Sequence, residues 1–295
     1  MKFKIFFLLF FLLVFVFSPL APKTVKATNQ TEMARLIQQI EILKYEISLF
    51  QSLISNFQLQ QGITAQSYLA VNLSDNSVIL EKNPNQPYPP ASISKLMSTV
   101  VALENIDTKQ TITLTEKMLE SSGQSPSLFL GLNVSAENLL KASLIQSTND
   151  ASEALSYFVG KEKFIELINQ KAKELNMTNT VFYDVHGLNP ANRSTASDIA
   201  KLLSYILKNH PEILSITKEN NFWLPDSTGT LLKFQNVNNF YSLSEFIGGK
   251  TGYLPQAKQT LASIFNVNGK QIAIILLYSN NRQADVFAII KKLRN

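Results

Sequence analysis

A chain of 295 residues can build one substantial hydrophobic core, or one domain with an appendage. With 45% hydrophobic and 17% charged residues it is globular in composition, and the absence of cysteine excludes disulfides and thiolate chemistry. The formal charge of +5 includes Lys2, Lys4, Lys23 and Lys26, and without those four it falls to about +1, too little for a nucleic-acid-binding surface.

Residues 1–27 read as an export signal or N-terminal anchor. Lys2 and Lys4 form the charged start, residues 5–17 are an unbroken apolar run, and Val25-Lys26-Ala27 offers small residues for cleavage after Ala27. The run is shorter than the roughly 20 residues of a membrane span, but extended to Ala21 it makes a marginal anchor. Cleavage and tethering both stand, and either way the remainder is exported.

Residues 28–62 form a second segment. From Thr31 to Gln61 there is neither proline nor glycine, and Met33, Ile40, Ile47 and Ile54 alternate with Leu36, Leu43, Phe50 and Phe57 in a seven-residue repeat. This predicts a helix of about 45 Å at 1.5 Å per residue, with Gly62 as its C-cap. A coiled-coil stalk that pairs copies of the chain is one reading. A helix packed on its own domain is the other, because Ile37, Ile42, Leu49 and Leu53 widen the apolar stripe.

Residues 63–295 make the third segment. Stretches 67–73 and 78–81 read as a hairpin around Asp75-Asn76. A helix is expected from Ser92, a short strand over 111–114, and another helix from Ser135. Ser147-Thr148-Asn149 interrupts that helix, and helical spacing resumes over 150–159. Helices are expected over 161–175 and 195–207, separated by a loop through His186-Gly187-Leu188-Asn189-Pro190, in which His186 is read as structural. The Asn-rich stretch 218–239 reads as loop with short extended pieces. Strands over 246–251, 260–267 and 271–279 follow, the last two joined by the hairpin signal Asn268-Gly269. A helix over 284–293 closes the chain, which suggests one sheet assembled from both chain ends.

The chemistry is placed at Pro89-Pro90-Ala91-Ser92-Ile93-Ser94-Lys95-Leu96-Met97. The prolines bar a preceding helix, and the apolar spacing after them is helical, so Ser92 sits near a helix N-terminus with Lys95 on the same face. A hydroxyl becomes a nucleophile when a neighbouring amine of depressed pKa takes its proton, and a second cation nearby helps keep that amine neutral. Ser215-Ile216-Thr217-Lys218 fits the same Ser-x-x-Lys pattern, and Ser74-Asp75-Asn76 and Ser279-Asn280-Asn281 also match Ser-x-Asn. Only Ser92, however, is followed in order by a Ser-x-Asn, Ser147-Thr148-Asn149, and by the sole Lys-Thr-Gly, Lys250-Thr251-Gly252. His186 and His210 are the only histidines, no zinc-peptidase motif exists, and Gly-x-Ser-x-Gly is missing, so neither metal nor cofactor is expected.

From Tyr68 onward the chain resembles the serine-type D-alanyl-D-alanine carboxypeptidases, the low-molecular-mass penicillin-binding proteins. The resemblance rests on Ala91-Ser92-Ile93-Ser94-Lys95-Leu96-Met97, Ser147-Thr148-Asn149-Asp150-Ala151, His186-Gly187-Leu188 and Gly249-Lys250-Thr251-Gly252-Tyr253. It implies an α+β fold of the D,D-peptidase and β-lactamase type, with a five-stranded antiparallel sheet flanked by helices and a helical subdomain carrying Ser147. It also implies an extracytoplasmic enzyme acting on peptidoglycan stem peptides and inhibited by β-lactams. By position, Ser92 would be the acylated nucleophile, Lys95 its base, Ser147 a proton relay and Asn149 a holder of the substrate amide. Lys250 would keep the local potential positive. Ser92 and Tyr253 would lend backbone N–H groups to an oxyanion hole, Gly252 would line the substrate site, and Thr251 would bind the terminal carboxylate. Arg282 either assists at that carboxylate or is a solvent-facing turn residue. The helical segment before residue 62 is not part of the family's catalytic unit.

Three competing functions remain in view. A class A β-lactamase deacylates through a Glu-x-x-x-Asn segment, and no Glu between Asn149 and Lys250 has Asn four residues later. A D,D-endopeptidase would use the same residues as a carboxypeptidase. A non-catalytic wall-associated protein would have the coiled coil as its working part.

Overall fold

The computed structural model describes residues 30–60, 62–121, 128–226 and 228–294. The export-type segment 1–27 lies outside them. The chain divides into two units between Asn56 and Phe57.

Helix α1, Gln30–Gln60, begins the described chain. Met33, Leu36, Ile40, Leu43 and Ile47 of its seven-residue repeat are all exposed, as are Ile37, Ile42 and Leu49 beside them. No helix among the described residues is long and apolar enough to cross a membrane.

The second unit is built on one antiparallel sheet. Strand β1, Ser67–Asn72, turns back into β2, Val78–Lys82, as the hairpin signal predicts. A single 3-10 turn, Ala91–Ile93, leads into helix α2, Ser94–Asn105. The α-helix thus begins two residues later than expected. Ser92 lies in the turn and caps nothing with its side chain, because Ile93 holds the N-cap position. Strands β3, Thr111–Thr113, and β4, Asn133–Ser135, form a small separate sheet.

The helical layer follows: α3, Ala136–Ile145; α4, Asn149–Ser156; α5, Lys161–Glu174; and α6, Ala196–Asn209. Ser135 and Thr195 cap α3 and α6 by accepting from the amides of Asn138 and Asp198. In the stretch expected to be loop with short extended pieces, the extended pieces form a paired hairpin. Just before it lies α7, Pro211–Lys218, which opens with proline in its first turn, a start signal that needs no amide hydrogen bond. Strands β5, Asn221–Pro225, and β6, Leu231–Gln235, then pair, because Phe222, Leu224 and Phe234 alternate inward while Trp223 and Lys233 face out.

The chain closes with β7, Phe246–Leu254; β8, Lys258–Val267; β9, Lys270–Ser279; and helix α8, Arg282–Arg294. The strand order is β2-β1-β9-β8-β7, so the first and last strands of the unit lie side by side. Period-two alternation gives the sheet two apolar faces. Leu69, Val71, Ala262, Ile264, Ala273, Ile275 and Leu277 meet the helical layer. Ala70, Leu261, Phe265, Ile272, Ile274 and Leu276 meet Val286 and Ile289 of α8. Each large side chain so buried contributes about 1.5–3 kcal/mol. Strand β7 is an edge, and its outer side borders the site.

Candidate active site

Four distant segments, around residues 92–95, 147–149, 186 and 250, converge on two buried lysines. Lys95, on the first turn of α2, is fully buried. Its Nζ lies 3.1 Å from Ser92 Oγ, 2.7 Å from Asn149 Oδ1 and 3.0 Å from the His186 carbonyl oxygen. Burial lowers its pKa to about 7, against the raising influence of the Asp184 carboxylate.

Those three contacts constrain the hydrogens. A neutral amine has two N–H groups and one lone pair. Asn149 Oδ1 and the His186 carbonyl can only accept, so they take both N–H groups. The lone pair then faces Ser92 Oγ, the one partner able to donate.

Lys250, on β7, is also buried; its Nζ donates to Ser147 Oγ at 2.8 Å and to the Thr251 carbonyl at 2.9 Å. Burial first, then the charges of Lys95 and Arg282, hold its pKa well below the usual lysine value. On the sequence alone, a second cation helps to keep Lys95 neutral. Desolvation is what lowers Lys95, and it is the larger cause for Lys250, where the charge of Lys95 adds to it. Ser147 bridges α3 and α4 at φ 60°, and Ala91, just before Ser92, is at φ 52°. Non-glycine residues rarely adopt this left-handed conformation, and such strain gathers at functional sites.

Thr251 is buried, while Tyr253 is 63% exposed at the outer end of β7. Gly252 packs so close that a side chain there would lie 2.8 Å from the Ser92 amide nitrogen. Arg282 is half-buried and not a free turn residue, since its Nη1 donates to the Gly252 carbonyl at 2.8 Å. The other motif matches are elsewhere: Ser215 Oγ donates to the Pro211 carbonyl, and Ser279 Oγ to Asp285. Among the described residues no group of His, Cys, Asp and Glu is placed to hold a metal ion.

The model of the D-alanyl-D-alanine carboxypeptidase family matches residues 55–281. The chain belongs to that family. As a D-alanyl-D-alanine carboxypeptidase family member it is a serine peptidase. It is 33% identical over 231 residues to the D-alanyl-D-alanine endopeptidase of Escherichia coli K12, covering 74% of this chain and 72% of that one. Against the D-alanyl-D-alanine carboxypeptidase DacF of Bacillus subtilis it is 31% identical, covering 72% of this chain but only 57% of the relative. The crystal structure of a D-alanyl-D-alanine carboxypeptidase from Mycobacterium tuberculosis H37Rv superposes with a TM-score of 0.72 at 25% identity, covering 79% of this chain and 90% of that one. The five-stranded antiparallel fold expected from the resemblance is the fold observed.

In this family member, sequence reasoning missed the part played by the loop after α5. The His186 ring nitrogens face Leu188, Asp184 and Glu153, while its carbonyl holds the Lys95 amine. A signal was present in Gly187, at φ 90°, where a Cβ would sit 2.0 Å from the Ala91 carbonyl oxygen. Only glycine lets the loop press against the turn that carries Ser92.

Proposed function

We propose that the enzyme is a D-Ala-D-Ala carboxypeptidase that trims peptidoglycan stem peptides through an acyl-enzyme on Ser92. The observation that carries this is the Lys95 amine, buried, held by two acceptors and facing Ser92 Oγ at 3.1 Å. Ser92 Oγ attacks the carbonyl carbon of the penultimate D-Ala, and its proton passes to Lys95 Nζ. The tetrahedral intermediate collapses as a proton reaches the departing D-Ala nitrogen through Ser147, which Lys250 polarises. Water then cleaves the ester and restores Ser92.

The oxyanion is stabilised by the amides of Ser92 and Tyr253. Residues of a strand alternate their N–H groups between its two sides. The Gly249 amide donates outward to Thr217 Oγ1, and the Thr251 carbonyl also points away from β8 to Lys250. Tyr253 shares that outward side. Thr251 and Arg282 receive the substrate carboxylate, with the guanidinium braced by the Gly252 carbonyl.

The enzyme acts outside the cytoplasm, where residues 1–27 direct it and are then removed or retained as a tether. Residues 63–295 are its catalytic unit. Residues 31–61 pair copies of the chain, a reading supported by the seven-residue repeat and the exposed Met33, Leu36, Ile40, Leu43 and Ile47. A second substrate reading, cleavage of cross-linked peptides, is favoured by the name of the Escherichia coli relative.

Labelling with a fluorescent penicillin, followed by mass spectrometry of the modified peptide, tests the nucleophile. An adduct on Ser92 that disappears in Ser92→Ala is expected. Equal labelling of the variant would overturn the assignment. Incubation with a pentapeptide and with a cross-linked dimer separates the two substrates, and release of free D-Ala from the pentapeptide is the result expected.

A further inference from the structure

One of the three partners of Lys95 belongs to a loop whose shape depends on a single carboxylate. Asp184 is 8% exposed. Its Oδ1 accepts from the Gly187 amide at 2.8 Å and from Asn192 Nδ2 at 2.8 Å. Its Oδ2 accepts from the Asn189 amide at 2.5 Å and lies 3.2 Å from His186 Nδ1. Asn192 in turn accepts from the Tyr183 amide, so both ends of the loop close on one another.

The closed loop meets the catalytic helix at successive residues. The Val185 carbonyl accepts from Ser98 Oγ at 2.5 Å, the His186 carbonyl from Lys95 Nζ at 3.0 Å, and Gly187 abuts Ala91. We propose that Asp184 is a positioning residue for the Lys95 amine: it locks residues 184–192 so that the His186 carbonyl takes one N–H of neutral Lys95 and leaves the lone pair for Ser92. The inference rests on Lys95 being the base for Ser92.

A carboxylate suits this place because both of its oxygens accept. An asparagine would turn one end into a donor, and whichever end turned would face an amide N–H of the loop. The charge matters as well as the shape. Burial alone would raise the Asp184 pKa, but the hydrogen bond and charge of His186, with Asn192 and Asn189, hold it well below the usual carboxylate range. Asp184 therefore stays an anion and favours the ammonium form of Lys95. The titratable groups around it are His186 on its own loop, Lys95 of α2, and Glu153 of α4, which lies 3.7 Å beyond the imidazole and pairs with Lys161 of α5.

The test is the rate of penicillin acylation against pH for wild type and Asp184→Asn, with each protein checked for native folding by near-ultraviolet circular dichroism. The plateau rate of the variant is expected to fall by about tenfold or more, since displaced catalytic groups lose rate steeply. Its acidic limb is expected to move to lower pH, because loss of the anion disfavours the ammonium. A carboxylate that serves the fold alone would leave the midpoint unmoved, and that result, or an unchanged plateau, overturns the proposal. Should Asp184→Asn not fold, Asp184→Glu decides: a lowered plateau at the wild-type midpoint supports the proposal, and a wild-type plateau overturns it. Absence of any Ser92 adduct in wild type would instead remove the reading on which the inference rests.

Discussion

At the scale of single residues, the site works by taking charges away. A lysine in water is protonated at neutral pH and useless as a base, and full burial brings Lys95 to about 7. The direction of the pH dependence follows. In the proposed mechanism acylation of Ser92 needs the neutral amine, so the rate is expected to fall about tenfold per pH unit below 7 and to level off above 8. Stopped-flow acylation between pH 5 and 9 measures this, and a rate flat across that range would remove Lys95 as the base. Lys95→Arg keeps a donor but no accessible lone pair, so it is expected to lose at least about a hundredfold in the same assay. Neither the pKa nor the two acceptor-only partners could be read from the chain, because each depends on atoms that approach only after folding. The spacing of Ser92 and Lys95, in contrast, was local and legible.

At the scale of elements, caps and breaks position the chemistry. Ser147 can reach Lys250 because α3 stops at Ile145 and α4 starts at Asn149, leaving the motif between two helix ends. The loop that carries His186 is anchored downstream by α6, whose N-cap Thr195 accepts from the Asp198 amide at 3.1 Å. Thr195→Ala is expected to cost about 1 kcal/mol of stability in urea unfolding while leaving the acylation plateau unchanged. A drop in acylation without a drop in stability would instead place Thr195 in the catalytic machinery. Most of these elements were legible as patterns. The start of α2 was not, since a 3-10 turn and an α-helix share the same apolar residues and differ only in which carbonyl each amide finds. Helix α7 drew no expectation of its own, and the pairing of β5 with β6 was not legible in the short extended pieces expected there, because asparagine-rich composition signals turns and packing decides the pairing.

At the scale of the whole molecule, one sheet drawn from both chain ends carries the helical layer on one face and α8 on the other. The helix that precedes it offers a separate test. Sedimentation of the chain with and without residues 31–61 is expected to show a higher oligomer only when they are present, and a monomer in both cases would leave α1 to another role. What the amino-acid order determined by itself is the alternation that gives β8 and β9 two apolar faces, the hairpin at Asn268-Gly269, and the ordered motifs that mark the reaction. Period, turn chemistry and motif order are properties of neighbours along the chain, so they survive without a fold. Only the tertiary structure decided that burial lowers the pKa of Lys95, and that a carbonyl from residue 186 takes one of its N–H groups. Desolvation and hydrogen-bond direction arise from groups far apart in sequence, and they exist only once the segments have met.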